Sequence, residues 1–231
     1  MKKIIIILVV LIAVGIFISK DKKAAQPAVT GSETPSTAIA VAGVSLADGT
    51  YAVAPTDASI SWSGRKVVLK NWIDKGTIGL KEASLEVKDG KIVSNKFVID
   101  MTTIAAGSTG SGGGEDKLSG HLKSEDFFNV ALFPSSTFVA KEFTAGTTTG
   151  SFVIKGDLTI KDKTNAVAIP ATFTVVSDGT ISAKGSVDID RTLWDVRYGS
   201  GKFFSDLGDK IIDDMFNVSF EVKMKTVVEL E

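Results

Sequence analysis

The sequence predicts an all-β protein built as an antiparallel sheet closed on itself, and three observations predict it. First, long segments alternate strictly. In Phe152–Lys161 one parity reads Phe, Ile, Gly, Leu, Ile and the other Val, Lys, Asp, Thr, Lys. Successive side chains of a strand point to opposite faces, so this segment has one dry face and one wet face. Second, the rule recurs in Val167–Val175, Ile181–Ile189 and Phe216–Met224. Antiparallel sheets with one solvated face give this pattern and parallel sheets do not. Third, polar turns separate the segments: Asp89-Gly90, Lys161–Asn165 and Asp178-Gly179, the Asp-Gly pairs supplying positive φ for tight hairpins. Long strands that are apolar on one side imply a barrel, whose inside is the first place to look for function.

Taken in order, the chain opens with Met1-Lys2-Lys3 and an apolar run, Ile4–Ile18. This is a targeting segment. Its length lies between a secretory core of about 7–15 residues and a spanning helix of about 17–25. Ser19-Lys20-Asp21-Lys22-Lys23 has no small-x-small cleavage site, and the first Ala-x-Ala is Ala38-Ile39-Ala40. An N-terminal hydrophobic helix over 1–20, kept as an uncleaved membrane anchor, is therefore expected. Cleavage and release to the periplasm is the alternative. Residues 21–48, rich in Ala, Thr, Ser, Val, Pro and Gly, are expected to be a flexible linker, with an irregular first strand at Ala38–Val44 as the other reading. The domain is placed at 49–231.

Within it, Tyr51–Val53 can begin a strand. Ile60–Gly64 alternates apolar with Ser and continues through Val67–Leu69. Gly76–Leu80 and Ser84–Val87 form the next strand, and Ile92–Met101 returns. With Thr137–Phe143 the count reaches about eight. Gly107–Gly114 is a Gly/Ser run expected to be mobile. Glu115–Val130 fits short helical turns. Arg191–Gly208 is aromatic enough to fold over one end of the barrel.

Composition excludes several classes. Lys and Arg total 26 against 27 Asp and Glu. Without residues 1–48, which hold five Lys and three acids, 21 basic groups face 24 acids, about −3, so no basic field attracts nucleic acid. No Cys is present, which removes disulfides, thiol chemistry and lipidation at a Cys after the leader. A single His, His121, cannot make a two-His metal site, so neither metal nor cofactor is expected. No serine sits in a nucleophile elbow.

The candidate ligand contacts are therefore the inward parity: Trp62, Phe152, Ile154, Leu158, Ile169, Ala171, Phe173, Gly185, Val187, Phe216 and Phe220. The small residues on that parity, with Gly64, Gly156 and Ala183, leave room inside or relieve crowding where strands bend. His121 is a loop residue or a polar contact at the cavity mouth. Arg197, with Arg191 and Lys202, can meet an anionic head group or pair with Asp190, Asp195 or Asp206.

Four tracts then carry a resemblance. Gly120-His121-Leu122-Lys123-Ser124-Glu125-Asp126-Phe127-Phe128-Asn129-Val130, Gly156–Lys161, Ile189–Trp194 and Arg197–Phe204 stand in order across Tyr51–Val228. Together they resemble the YceI-like family. The resemblance implies an eight-stranded antiparallel lipocalin-like barrel with short helical inserts and a long apolar cavity. It implies an extracytoplasmic location and binding of a polyisoprenoid or other long-chain lipid, without catalytic residues. A subgroup of the family often has a His before the glycine matching Gly76, where this chain has Asp74-Lys75. The expectation is thus a periplasmic, membrane-tethered lipid-binding barrel that is not an enzyme, and a homodimer is open to it. The competing expectations are a lipocalin-like enzyme acting on a lipophile and a structural module with a filled core.

Overall fold

The computed structural model describes residues 38–41, 43–176 and 179–227. The leader and the first part of the expected linker lie outside the described residues. Among the described residues no helix is long and apolar enough to cross a membrane.

The described residues form ten strands: β1 (Ile39–Ala40), β2 (Gly49–Ala52), β3 (Ala58–Arg65), β4 (Ile73–Lys88), β5 (Lys91–Ser108), β6 (Ser135–Ala145), β7 (Ser151–Ile160), β8 (Lys163–Val175), β9 (Ile181–Asp190) and β10 (Met215–Thr226). One helix, α1 (Glu115–Lys123), and three single 3-10 turns complete the elements. Strands β3 to β10 pair antiparallel in sequence order, and β10 pairs back onto β3, so eight strands close a barrel. Closure gives each of these eight strands a partner on both sides. Strand β2 pairs with the same neighbours as β3, namely β10 and β4, but nearer one end. The two act as one strand interrupted at Val53–Asp57, where Pro55 opens a 3-10 turn.

Three connections lie at one end: Asp89-Gly90, Gly146–Gly150 and the link from β8 to β9, where the Val176 N–H donates to the Thr180 carbonyl. The other end, called upper here, carries the β3–β4 turn, α1 with its flanking loops, and the Arg191–Asp214 insert. The lower end is solid. Ile39, Val41, Leu46, Tyr51, Leu85, Ile92, Phe152, Ile181 and Met224 are among the residues of one buried cluster there.

Several expectations need correction. The linker does not run to residue 48, and the other reading, an irregular first strand within Ala38–Val44, holds: Ile39 pairs with Ile92 on β5, and Ile39, Val41 and Leu46 are buried. These apolar side chains, set among small residues, help to seal the lower end. Val67–Leu69 does not extend β3. Lys66 forms only an isolated bridge to Ile212, and the Trp72 N–H donates to the Leu69 carbonyl to close a turn. The segments Gly76–Leu80 and Ser84–Val87 do belong to one strand, as expected, which runs 16 residues and whose alternation is broken by register shifts against β5. Strand β5 runs on to Ser108. The Gly107–Gly114 tract is tied by hydrogen bonds: Gly110 N–H donates to Asp74 Oδ1 and Thr109 Oγ1 donates to the Gly113 carbonyl.

Candidate functional site

Inside the barrel, above the lower cluster, lies a cavity of about 610 Å³. Ligand pockets typically measure about 300–1,000 Å³. Its deeper wall is apolar, from Leu85, Phe97, Phe143, Phe173, Ala183 and Met224. Only Asn95 and Ser136 interrupt that surface. The charged lining residues, Arg65, Lys66, Asp74, Lys117, Arg191 and Asp213, all come from the upper end. The interior is thus an apolar tube with a charged mouth.

The structure brings nine of the expected contacts into this wall: Trp62, Ile154, Leu158, Ile169 and Phe173, together with Val187, Phe216, Phe220 and His121. It leaves four out. Phe152 packs in the lower cluster, its ring 6.1 Å from that of Phe173. Ala171 is buried with Ala140, Ile154 and Ile169 between strands. Gly185 faces inward, but a Cβ there would meet the Phe220 ring and the Pro170 carbonyl at 2.8 Å. Arg197 lies outside the mouth, its Nε 2.7 Å from Asp195 Oδ1 and its guanidinium over Phe203.

The reading that small inward residues leave room for a ligand holds for Gly64 and Ala183, which line the cavity, and is corrected elsewhere by the same geometry. Three inward glycines are covered by aromatic rings: Gly185 by Phe220, Gly156 by Phe138 and Gly76 by Trp62. Trp62 stands directly across from Gly76, and Phe220 from Gly185. Each ring occupies the space that a Cβ on the neighbouring strand would take. The glycines shape the aromatic wall, and the open volume lies beyond the rings.

Trp62 Nε1 and Ser136 Oγ are buried with no hydrogen-bond partner among the described residues. Both residues belong to the wall. Asn95 was missed in the sequence. Its Nδ2 donates to the Ala140 carbonyl and its Oδ1 accepts from the Ala140 N–H. It thereby bridges β5 to β6 beyond Phe97↔Phe138, where their ladder ends. The available signal was a polar residue on the parity Asn95, Phe97, Ile99, Met101. Thr109, Ser111, Gly113, Lys117 and Leu118 were missed as well, because a Gly/Ser tract and a short helix carry no period that points at a barrel.

The mouth is held by polar contacts that are already satisfied. Arg191 is buried and donates to the carbonyls of Asp213, Val196, Tyr198 and Ile212, with Asp214 Oδ1 at 3.6 Å. Burial lowers its guanidinium from the ordinary value, while Asp214, Asp190 and Asp213 pull the other way. Arg65 Nε donates to Asp213 Oδ2 at 2.6 Å. Burial pushes the Asp213 carboxyl up, but the Met215 N–H and Arg65 outweigh it and hold it below the usual range. Lys202 bridges Asp190 and Asp214. Arg191 and Lys202 thus tie the insert down, and the head-group role considered for them is taken by internal partners. His121 Nε2 lies 2.9 Å from Asp126 Oδ2, and its ring stands edge-on to Phe127 and Tyr198. This contact joins α1 to the insert, and Trp194, buried beneath, donates its Nε1–H to the Leu158 carbonyl.

Comparisons with known proteins agree with this architecture. The family profile of the YceI-like domain matches residues 51–224. Among curated protein sequences none matches the chain. Solved structures that share the fold include two that align with about three quarters of this chain. One is Burkholderia cenocepacia BcnA, 19% identical, TM-score 0.56, with 75% of this chain and 99% of that one covered. The other is a polyisoprenoid-binding domain from Saccharophagus degradans implicated in plant cell wall breakdown, 12% identical, TM-score 0.57, with 77% and 98% covered.

Proposed function

The chain belongs to the YceI-like family, and from that membership and the shape of its interior we propose that it binds and carries a long-chain lipophile, a polyisoprenoid or a fatty acyl compound, outside the cytoplasm. The observation that carries the reading is the cavity of about 610 Å³, apolar along its depth and charged only at its mouth. A hydrocarbon chain fits such a wall, whereas a sugar or nucleotide would leave its polar groups unpaired. Burying about ten methylenes at about 0.8 kcal/mol each gains about 8 kcal/mol before the costs of immobilisation. Those costs are of similar size, so micromolar affinity needs a chain longer than about ten methylenes. The polyisoprenoid-binding activity of the Saccharophagus degradans domain supports the isoprenoid class, and the apolar leader Ile4–Ile18 supports export. The open interior counts against a module with a filled core.

The test is solvent extraction of the purified protein followed by mass spectrometry. A long-chain lipophile near one per protein is expected. An extract without one, from protein that also fails to take up an added fluorescent acyl or prenyl chain, overturns the reading.

A further inference from the structure

The turn between β3 and β4 exposes apolar surface beside the cavity mouth. Val67 and Val68 are 54% and 56% exposed, and Ile73 is 43% exposed. The same segment is basic: Arg65, Lys66, Lys70 and Lys75 accompany one acid, Asp74. Arg65 is taken up by Asp213, but Lys66, Lys70 and Lys75 have no carboxylate partner among the described residues. Lys66 Nζ lies 4.1 Å from the centre of the Trp72 ring, and both residues line the mouth. The turn is also fixed to the barrel. The Val67 N–H donates to the Ile211 carbonyl, and Lys66 bridges to Ile212. Ile212 packs against Gly199, and the insert to which both belong exposes Tyr198, Phe203 and Phe204 on the same end.

Exposed apolar patches of this kind mark interaction sites. Valine and isoleucine flanked by lysines, with a tryptophan at the base, is the chemistry of a bilayer interface. The apolar tips leave water, the indole sits at head-group depth and the lysines meet lipid phosphates. We propose that the β3–β4 turn docks the barrel mouth-down on an anionic lipid bilayer. This rests on the reading of the cavity as a lipophile site and adds the route: the cargo passes between bilayer and cavity without exposing its chain to water. Lys70 and Lys75 lie outside the cavity wall, so their charge serves docking rather than cargo.

The absence of Cys from the chain makes a direct test available in the full-length protein. Val68→Cys carries a polarity-sensitive fluorophore at the turn. Val175→Cys carries it at the opposite end of the barrel, where that side chain is also exposed. Each protein is placed on vesicles of phosphatidylcholine with phosphatidylglycerol that contain a doxyl-lipid quencher. The probe at 68 is expected to shift to the blue and be quenched at least about twofold, while the probe at 175 stays wet. Lys70→Glu with Lys75→Glu should return the probe at 68 to the level at 175, with circular dichroism and extractable lipophile unchanged.

Equal, low quenching at both positions overturns the proposal. So does quenching at 68 that survives the double charge reversal at low salt. A probe at 68 that stays wet on vesicles but is shielded as protein concentration rises assigns the patch to a second copy of the chain and also overturns it. The vesicles carry no added cargo, so failure here leaves the extraction result standing, and failure of extraction leaves this result readable.

Discussion

The glycines of the inner face decide the shape of the wall residue by residue. Gly64 and Gly185 both belong to strands and to the inward parity, yet their surroundings differ. Around Gly64 an added Cβ would meet nothing within 4 Å, whereas at Gly185 it would meet the Phe220 ring and the Pro170 carbonyl at 2.8 Å. The ring can turn, but the carbonyl is backbone. Gly185→Ala is therefore expected to cost about 1–3 kcal/mol, the usual range for overpacking. Gly64→Ala should be neutral or stabilise by up to about 1 kcal/mol by restricting the unfolded chain. Urea unfolding of the two variants measures this, and equal losses would remove the aromatic cover as the reason for Gly185. Neither parity nor composition distinguishes the two glycines; only the cross-strand partner does.

At the scale of elements, the lower end depends on a segment with little secondary structure. Strand β1 is two residues long, and Val41 and Leu46 lie in irregular chain, yet Ile39, Val41 and Leu46 are buried against Tyr51, Leu85 and Ile92. Fully burying an aliphatic side chain contributes about 1.5–3 kcal/mol relative to exposure. A chain starting at Gly49 should fold, since all eight barrel strands remain, but with stability several kcal/mol below that of a chain starting at Ala38. Thermal unfolding followed by circular dichroism compares them, and matching midpoints would show that the plug contributes nothing. The upper end is built differently. Arg191 collects four carbonyls from the insert and the approach to β10, so one guanidinium replaces the regular pairing that this loop lacks.

For the whole molecule the governing feature is an interior that eight strands leave incompletely filled. Eight-stranded barrels stand at the boundary between a side-chain-filled core and room for one ligand. Val187 is half-buried on β9 and lines the cavity, whereas Ala171 is packed between strands. Val187→Trp should therefore keep the barrel, because the added ring enters open volume, and weaken binding of a fluorescent acyl chain by at least about tenfold, or about 1.4 kcal/mol. Circular dichroism and a binding titration read the two effects separately. Loss of the fold would mean that the volume is not available, and unchanged binding would place the cargo elsewhere.

The class, the closed antiparallel sheet and the inward parity of β7 to β10 were legible in the sequence, because a period of two survives in any strand with one wet face. It also carried the order of the elements and the position of the capping insert. The tracts across Tyr51–Val228 were enough to point to the family. Parity could not say where along a strand the interior is solid and where it is open. Phe152 and Ile154 share a face, yet one is in the plug and the other in the cavity wall. Bulges between β4 and β5 reset the alternation, so Asn95 and the upper half of β5 were not legible. The assignment of Arg191 and Arg197 to internal partners, the rings over the glycines and the exposed turn at the mouth were likewise decided by the tertiary structure. Each depends on which residues closure of the barrel brings opposite one another, and that is a long-range pairing no local pattern records.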